Sequence, residues 1–106
     1  MEKITLYVGL NDSATLEQKF DTEKYVSVIK NICRSYKAPF SLNYIRGGYF
    51  GDDGTFVDEN SLEISFLAED DETVDEIAKD ICAFFHQESV LIVKQECEIR
   101  YVHESL

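Results

Sequence analysis

Apolar side chains at Ile4, Leu6, Val8 and Leu10 alternate with Thr5, Tyr7 and Gly9, a period of two that predicts a half-buried strand over residues 4–10. A polar stretch follows, and Asp21 then stands as an N-cap. Phe20 lies just before it and Tyr25 four residues after it, the spacing of a hydrophobic staple. Tyr25, Val28, Ile29, Ile32 and Tyr36 recur at helical spacing, while Lys24, Lys30, Arg34 and Lys37 make the rest of this helix basic. Pro39 closes its neighbourhood. Residues 41–50 and 55–67 are rich in β-branched and aromatic side chains, and an Asp-Gly pair sits in the GDDG between them, which predicts a long hairpin. Thr73 and Glu76 fit a capping box opening a second helix, whose apolar positions are Val74, Ile77, Ala78, Ile81, Phe84 and Phe85. Beyond Gln87, the odd positions Leu91, Val93, Cys97, Ile99 and Tyr101 stay apolar, so a final strand is expected to run to Tyr101.

Strand, helix, strand, strand, helix, strand is the βαββαβ order of the ferredoxin-like α+β fold, in which two helices cover one face of a four-stranded antiparallel sheet. The 106 residues suffice for one modest core, so residues 1–106 are expected to form a single domain. The second sheet face is left open, carrying some of Tyr7, Tyr44, Glu63, Lys94, Glu98 and Arg100. No apolar run is long enough to span a bilayer and the N-terminus does not read as a signal peptide, so a cytoplasmic, non-membrane protein is expected. Cys33, Cys82 and Cys97 form neither a zinc motif nor a CxxC pair and read as reduced small hydrophobes.

Charge changes this picture. Twelve of the 21 acids, and only Lys79 among the ten bases, fall in residues 52–80, so the net charge of −11 is concentrated there. Such a segment repels duplex nucleic acid and attracts a basic partner protein. Asp52, Asp53, Asp70, Asp71, Asp75 and Glu76 are the acids expected to meet that partner. The acids at 70, 71, 72 and 75 also complement the positive end of the second helix. Opposite charge on the two halves favours head-to-tail self-association, whereas the open sheet face favours a two-fold dimer.

Chemistry-bearing motifs are scarce. Arg46-Gly47-Gly48 lies within a predicted strand, where it reads as a bulge or as a close backbone approach for an anionic ligand with Arg46 as its fork. The alternative to partner binding is therefore a nucleotide-like small molecule, such as a phosphorylated signal, held by Tyr7, Asn11, Arg46, Gly47, Gly48 and Tyr49. Cys82 and His86 are one helical turn apart, but two ligands are too few for a metal. The acid runs lack the alternating carboxylates and glycine of a calcium loop. Asn11-Asp12 and Gln87-Glu88-Ser89 read as turn and capping groups at element ends. With no activated nucleophile or metal set in view, the expected role is non-enzymatic binding without a cofactor.

Leu6-Tyr7-Val8-Gly9-Leu10 and Gln87-Glu88-Ser89-Val90-Leu91-Ile92-Val93 resemble the domain of unknown function 3574 family, and Asp53-Gly54-Thr55-Phe56-Val57 resembles a variant common in small phage and prophage proteins of low-GC Gram-positive bacteria. That family has no established activity to transfer. The resemblance implies a compact βαββαβ domain and an accessory or counter-defence role in a phage.

Overall fold

A computed structural model describes residues 1–87 and 89–105; Glu88, within the polar group before the last strand, lies outside them. Its elements run β1 (Glu2–Gly9), α1 (Thr22–Ser35), β2 (Ser41–Phe50), β3 (Phe56–Leu67), α2 (Asp71–Phe85) and β4 (Leu91–Glu96). The strands pair antiparallel in the order β2-β3-β1-β4. This is the expected ferredoxin-like arrangement.

Register assigns each side chain to a face, because directly opposed residues point the same way. Ile4, Leu6 and Val8 of β1 oppose Phe66, Ile64 and Leu62 of β3. All six are buried against Tyr25, Ile29, Ile32 and Cys33 of α1 and Val74, Ile77, Ala78, Ile81 and Phe85 of α2. Each such side chain contributes about 1.5–3 kcal/mol by leaving water, which makes this layer the main source of stability. The staple forms: the Phe20 and Tyr25 rings stand 6.0 Å apart and Asp21 is the N-cap of α1, although its side chain accepts no capping hydrogen bond. The predicted capping box on α2 does not form. Asp70 is the N-cap instead, accepting from the Thr73 N–H at 2.7 Å, because it is the last extended residue before the first turn.

Two further expectations are corrected and one is narrowed. Register through Gly47↔Glu59 and Gly48↔Asp58 is unbroken, so the glycine pair makes no bulge. Gly48 is needed because a Cβ there would lie 2.2 Å from the Phe56 ring. Of the residues from which the open face was expected to draw, Tyr7 and Glu63 stand opposite each other on it, whereas Lys94 and Tyr44 oppose Ile4 and Leu62, which both face the helices. Finally, β4 stops at Glu96 rather than Tyr101. It pairs with β1, and after Glu2↔Glu96 and a last bond from the Cys97 N–H to the Met1 carbonyl no partner backbone remains.

At the opposite end of the sheet, β1 reaches only the Gly9↔Ser61 pair, whereas β2 and β3 continue to Phe50↔Phe56. The hairpin therefore projects as a two-stranded arm, and the molecule extends 59 Å along its longest axis. No described helix is long and apolar enough to cross a membrane.

Candidate functional site

The site lies where β1 leaves the sheet. The Leu10 N–H makes the last bond, to the Asn60 carbonyl at 2.9 Å, and the chain then turns away from β3. Asn11 takes over the exposed edge. Its side-chain amide donates to the Asp58 carbonyl at 3.1 Å, its N–H donates to Glu59 Oε2 at 3.1 Å, and its carbonyl accepts from Gln87 Nε2 at 2.5 Å. A backbone group that loses its strand partner has to find another, and one asparagine here ties the end of β1 to two residues of β3 and to the segment after α2.

The Glu59 carboxylate is placed by the absence of a side chain at Gly9. A Cβ on Gly9 would meet Glu59 Cδ and Oε1 at 2.5 Å. Oε1 of Glu59 accepts no hydrogen bond among the described residues. On the helix side of the same edge, Asn60 Nδ2 donates to Gln18 Oε1 at 2.8 Å, and the Tyr44 hydroxyl donates to Asn60 Oδ1 at 2.6 Å. Asp12 builds the turn beneath: Oδ1 accepts the Ala14 and Thr15 N–H groups and Oδ2 pairs with Lys19 at 3.1 Å. Those backbone bonds, then the Lys19 ammonium, hold its carboxyl below the usual carboxylate range.

Two concavities of about 260 Å³ each adjoin and share Asn11 and Glu59. One also takes in Tyr49, Gln87 and Ser89, the other Gln18, Arg46, Gly47 and Asn60. Four of the six residues expected to hold a small molecule (Asn11, Arg46, Gly47 and Tyr49) thus come together. Tyr7 opposes Glu63 and Leu91 on the open face, and Gly48 lies on the other face of the arm beneath Phe56. Gln18, Glu59, Asn60 and Gln87 were not expected as site residues. Their only signal was a polar side chain at an element end or within the acid block.

The acids expected to meet a partner form two separate sets. Asp52 and Asp53 lie at the arm tip, where Asp53 Oδ1 accepts the Thr55 N–H at 2.9 Å. Asp70, Asp71, Asp75 and Glu76 open α2 beyond the other end of β3. The twelve residues of β3 between the sets put them roughly 35–40 Å apart. Asp71 pairs with Lys94 at 3.0 Å, and Glu76 with Lys79 at 3.2 Å. The described residues hold no group of three or more potential metal ligands, and the three cysteines are free. Burial raises the Cys33 thiol to about 11.

Fold and cleft together define a ferredoxin-like α+β domain with a polar, carboxylate-bearing site at the root of a projecting hairpin. No protein-family model matches the chain, and no curated protein does. Among solved structures it is similar to a phage SAM lyase in its apo state, with 26% identity, a TM-score of 0.69, and coverage of 89% of this chain and 78% of that one. It is equally similar to a phage SAM lyase in complex with S-methyl-5'-thioadenosine, at 26% identity and a TM-score of 0.69, covering 90% of this chain and 80% of that one. The fold is also that of the divalent cation tolerance protein CutA from Archaeoglobus fulgidus, at 12% identity and a TM-score of 0.61 over 95% of this chain and 88% of that one.

Proposed function

We propose that this chain binds S-adenosylmethionine in the cleft at the root of the arm and cleaves it to S-methyl-5'-thioadenosine. The observation that supports the reading is the likeness to a phage SAM lyase over nine-tenths of the chain, at 26% identity against 12% for the CutA protein of the same fold. The cleft has matching chemistry. Glu59 offers an uncommitted carboxylate oxygen to a sulfonium or ammonium group, Tyr49 offers a ring to an adenine, and Asn11, Asn60 and Gln87 supply amide groups for ribose and base. A cation meeting the half-buried Glu59 carboxylate gains more than it would from one in open water.

Lyase cleavage to that thioether breaks the bond between sulfur and the amino-acid side chain, and sulfur keeps the bonding pair. The carbon left behind takes a pair from the substrate's own carboxylate, closing a lactone without water. A reaction whose nucleophile is part of the substrate needs positioning more than an activated protein side chain. On this reading the scarcity of activated side chains does not argue against catalysis. The reading also fits an accessory phage function, since destroying S-adenosylmethionine deprives any host enzyme that uses it.

Calorimetry with S-adenosylmethionine and S-methyl-5'-thioadenosine, followed by mass spectrometry of the incubated mixture, tests this. Binding with release of the thioether and a lactone is expected, and Glu59→Gln should weaken binding at least tenfold while keeping the bond from Asn11. The absence of both binding and thioether release would reject the reading.

A second reading, capture of a basic partner protein, draws on the acidic opening of α2. Neutralising Asp70, Asp71, Asp75 and Glu76 together should abolish such capture at physiological salt, and unchanged capture would remove it.

A further inference from the structure

We propose that the gap between the start of α1 and the end of α2 is a second binding site, separate from the cleft, for a small aromatic carboxylate. A cavity of about 270 Å³ lies there, and Asp12 is the one residue that its lining shares with the two concavities of the cleft. The inference does not depend on what the cleft binds.

The walls of the cavity are aromatic. Tyr25 and Phe85 meet edge to face, with ring centroids 4.8 Å apart and planes at 88°, and Val28 lines the cavity beside them. Phe20 and Phe84 complete the lining while remaining 49% and 66% exposed. Phe20 has a local reason to stand there, as the staple of α1. Phe84 has none, since it belongs neither to the buried core nor to the side chains packed against it. A ring seated in the cavity would cover both and meet faces and edges already held in place.

The polar groups gather around Phe20. Lys24 Nζ stands 3.8 Å from the centroid of the Phe20 ring and makes no ion pair or hydrogen bond among the described residues. Tyr25 is only 5% exposed; its hydroxyl accepts the Phe20 N–H at 3.3 Å and donates to nothing among the described residues. A buried hydroxyl that accepts without donating still needs an acceptor for its proton. The one carboxylate in the lining is committed elsewhere, because Asp12 Oδ1 takes the Ala14 and Thr15 N–H groups and Oδ2 pairs with Lys19.

One uncommitted ammonium and one hydroxyl proton beside an aromatic wall suit a monoanionic acceptor joined to a ring. A phosphate would bring close to two negative charges to a single cation. Val28 lies one helical turn, about 5.4 Å, beyond Lys24, so the acid sits at the start of α1 and the ring reaches toward Val28 and Phe84. The volume falls below the roughly 300–1,000 Å³ of pockets for drug-sized molecules, which limits the occupant to a ring on a short chain.

Calorimetry of the full chain with phenylbutyrate and with its neutral amide, phenylbutyramide, tests the site, and backbone NMR shifts locate it. The acid should bind, the amide about tenfold more weakly, as expected for losing a charged partner. The shifts should gather at the start of α1 and the end of α2. Lys24→Met keeps the stem and removes the charge, and Phe84→Ser removes the outer wall; both side chains are exposed, so neither change threatens the fold. Each should weaken binding of the acid about tenfold, whereas Lys24→Arg should bind it as the wild type does. No binding of the acid at millimolar concentration, equal binding of acid and amide, shifts centred on Asn11 and Glu59, or a Lys24→Met protein that binds as tightly as the wild type would each overturn the proposal.

Discussion

Replacing Gly9 with alanine tests whether the cleft is built as described. The new Cβ would stand 2.5 Å from Glu59 Cδ and Oε1 and 2.6 Å from Oε2, so the carboxylate has to swing out. The clash is with the end of a flexible side chain rather than with backbone, so the strand itself need not shift. What is lost is the bond from the Asn11 N–H to Glu59 Oε2 at 3.1 Å. A hydrogen bond to a charged acceptor contributes about 1.5–3 kcal/mol. Alanine returns about 0.4–1 kcal/mol by restricting the unfolded chain. The net loss is about 1–2 kcal/mol, a fall in Tm of roughly 5–15 °C for a domain of this size. Gly47→Ala is the matched control: Gly47 opposes Glu59 in the register, its φ is not positive, and a Cβ there meets nothing within 4 Å. It should melt at or slightly above the wild-type temperature. Thermal melts of both variants, with calorimetry against S-adenosylmethionine, read the two effects together. Gly9→Ala is expected to lose stability and at least tenfold in affinity. A Gly9→Ala protein that melts and binds like the wild type would refute the construction of the cleft, and equal losses in both variants would reduce it to a general effect of strand glycines.

The carboxyls of Asp12 and Asp70 are held below their ordinary values, Asp12 chiefly by the Ala14 N–H and Asp70 by Thr73. Their stabilisation is complete above the unfolded carboxylate value of about 3.9 and disappears as pH falls through the lower folded values. Acid denaturation profiles of Asp12→Asn and Asp70→Asn should therefore be flatter than wild type below about pH 4, and a wild-type slope in both would contradict the assignment. Cys33, raised to about 11 by burial, should resist alkylation at neutral pH while the protein is folded and react once it unfolds; labelling of Cys33 in the folded state would disprove its burial. Tyr36→Phe removes a 2.7 Å bond from the hydroxyl on the α1 C-cap to Asp80 on α2. It should lower the urea midpoint, and an unchanged midpoint would mean the link between the helices is idle.

Local pattern was enough for most of the fold. The strand 41–50 forms with the bounds its composition implies, and the periodicity of Leu62, Ile64 and Phe66 assigns the buried face of β3 correctly. The errors arose where an element's limit depends on its neighbour. Nothing in Cys97, Ile99 and Tyr101 says that β4 should stop at Glu96, because the reason is the start of β1, almost the whole chain away in sequence. Polarity makes Lys94 a candidate for the open face, but register turns it to the helix side, where it reaches Asp71 and Glu2 at 3.0 and 3.3 Å. In a six-residue strand with both edge and end exposed, polarity alone no longer identifies the inward face.

The cleft was harder to read for a related reason. Asn11, Gln18, Glu59 and Gln87 come from four separate segments, and each has a sufficient local explanation as a turn, loop, strand or cap residue. The acid block added a distraction. Asp53 orders the arm turn, Asp70 caps α2, Asp71 holds Lys94 and Glu76 holds Lys79, so four of the six acids expected to meet a partner are engaged in structure. Glu59 differs from these acids only through its surroundings. It lies diagonally from a glycine, at the point where β1 withdraws and a backbone N–H needs an acceptor. A carboxylate held there by a missing Cβ, with one oxygen committed and one uncommitted, is positioned before any cation arrives, so binding need not immobilise it. Composition counts Glu59 as one of 21 acids, whereas its place beside Gly9 and the bond it accepts from Asn11 distinguish it from the other 20.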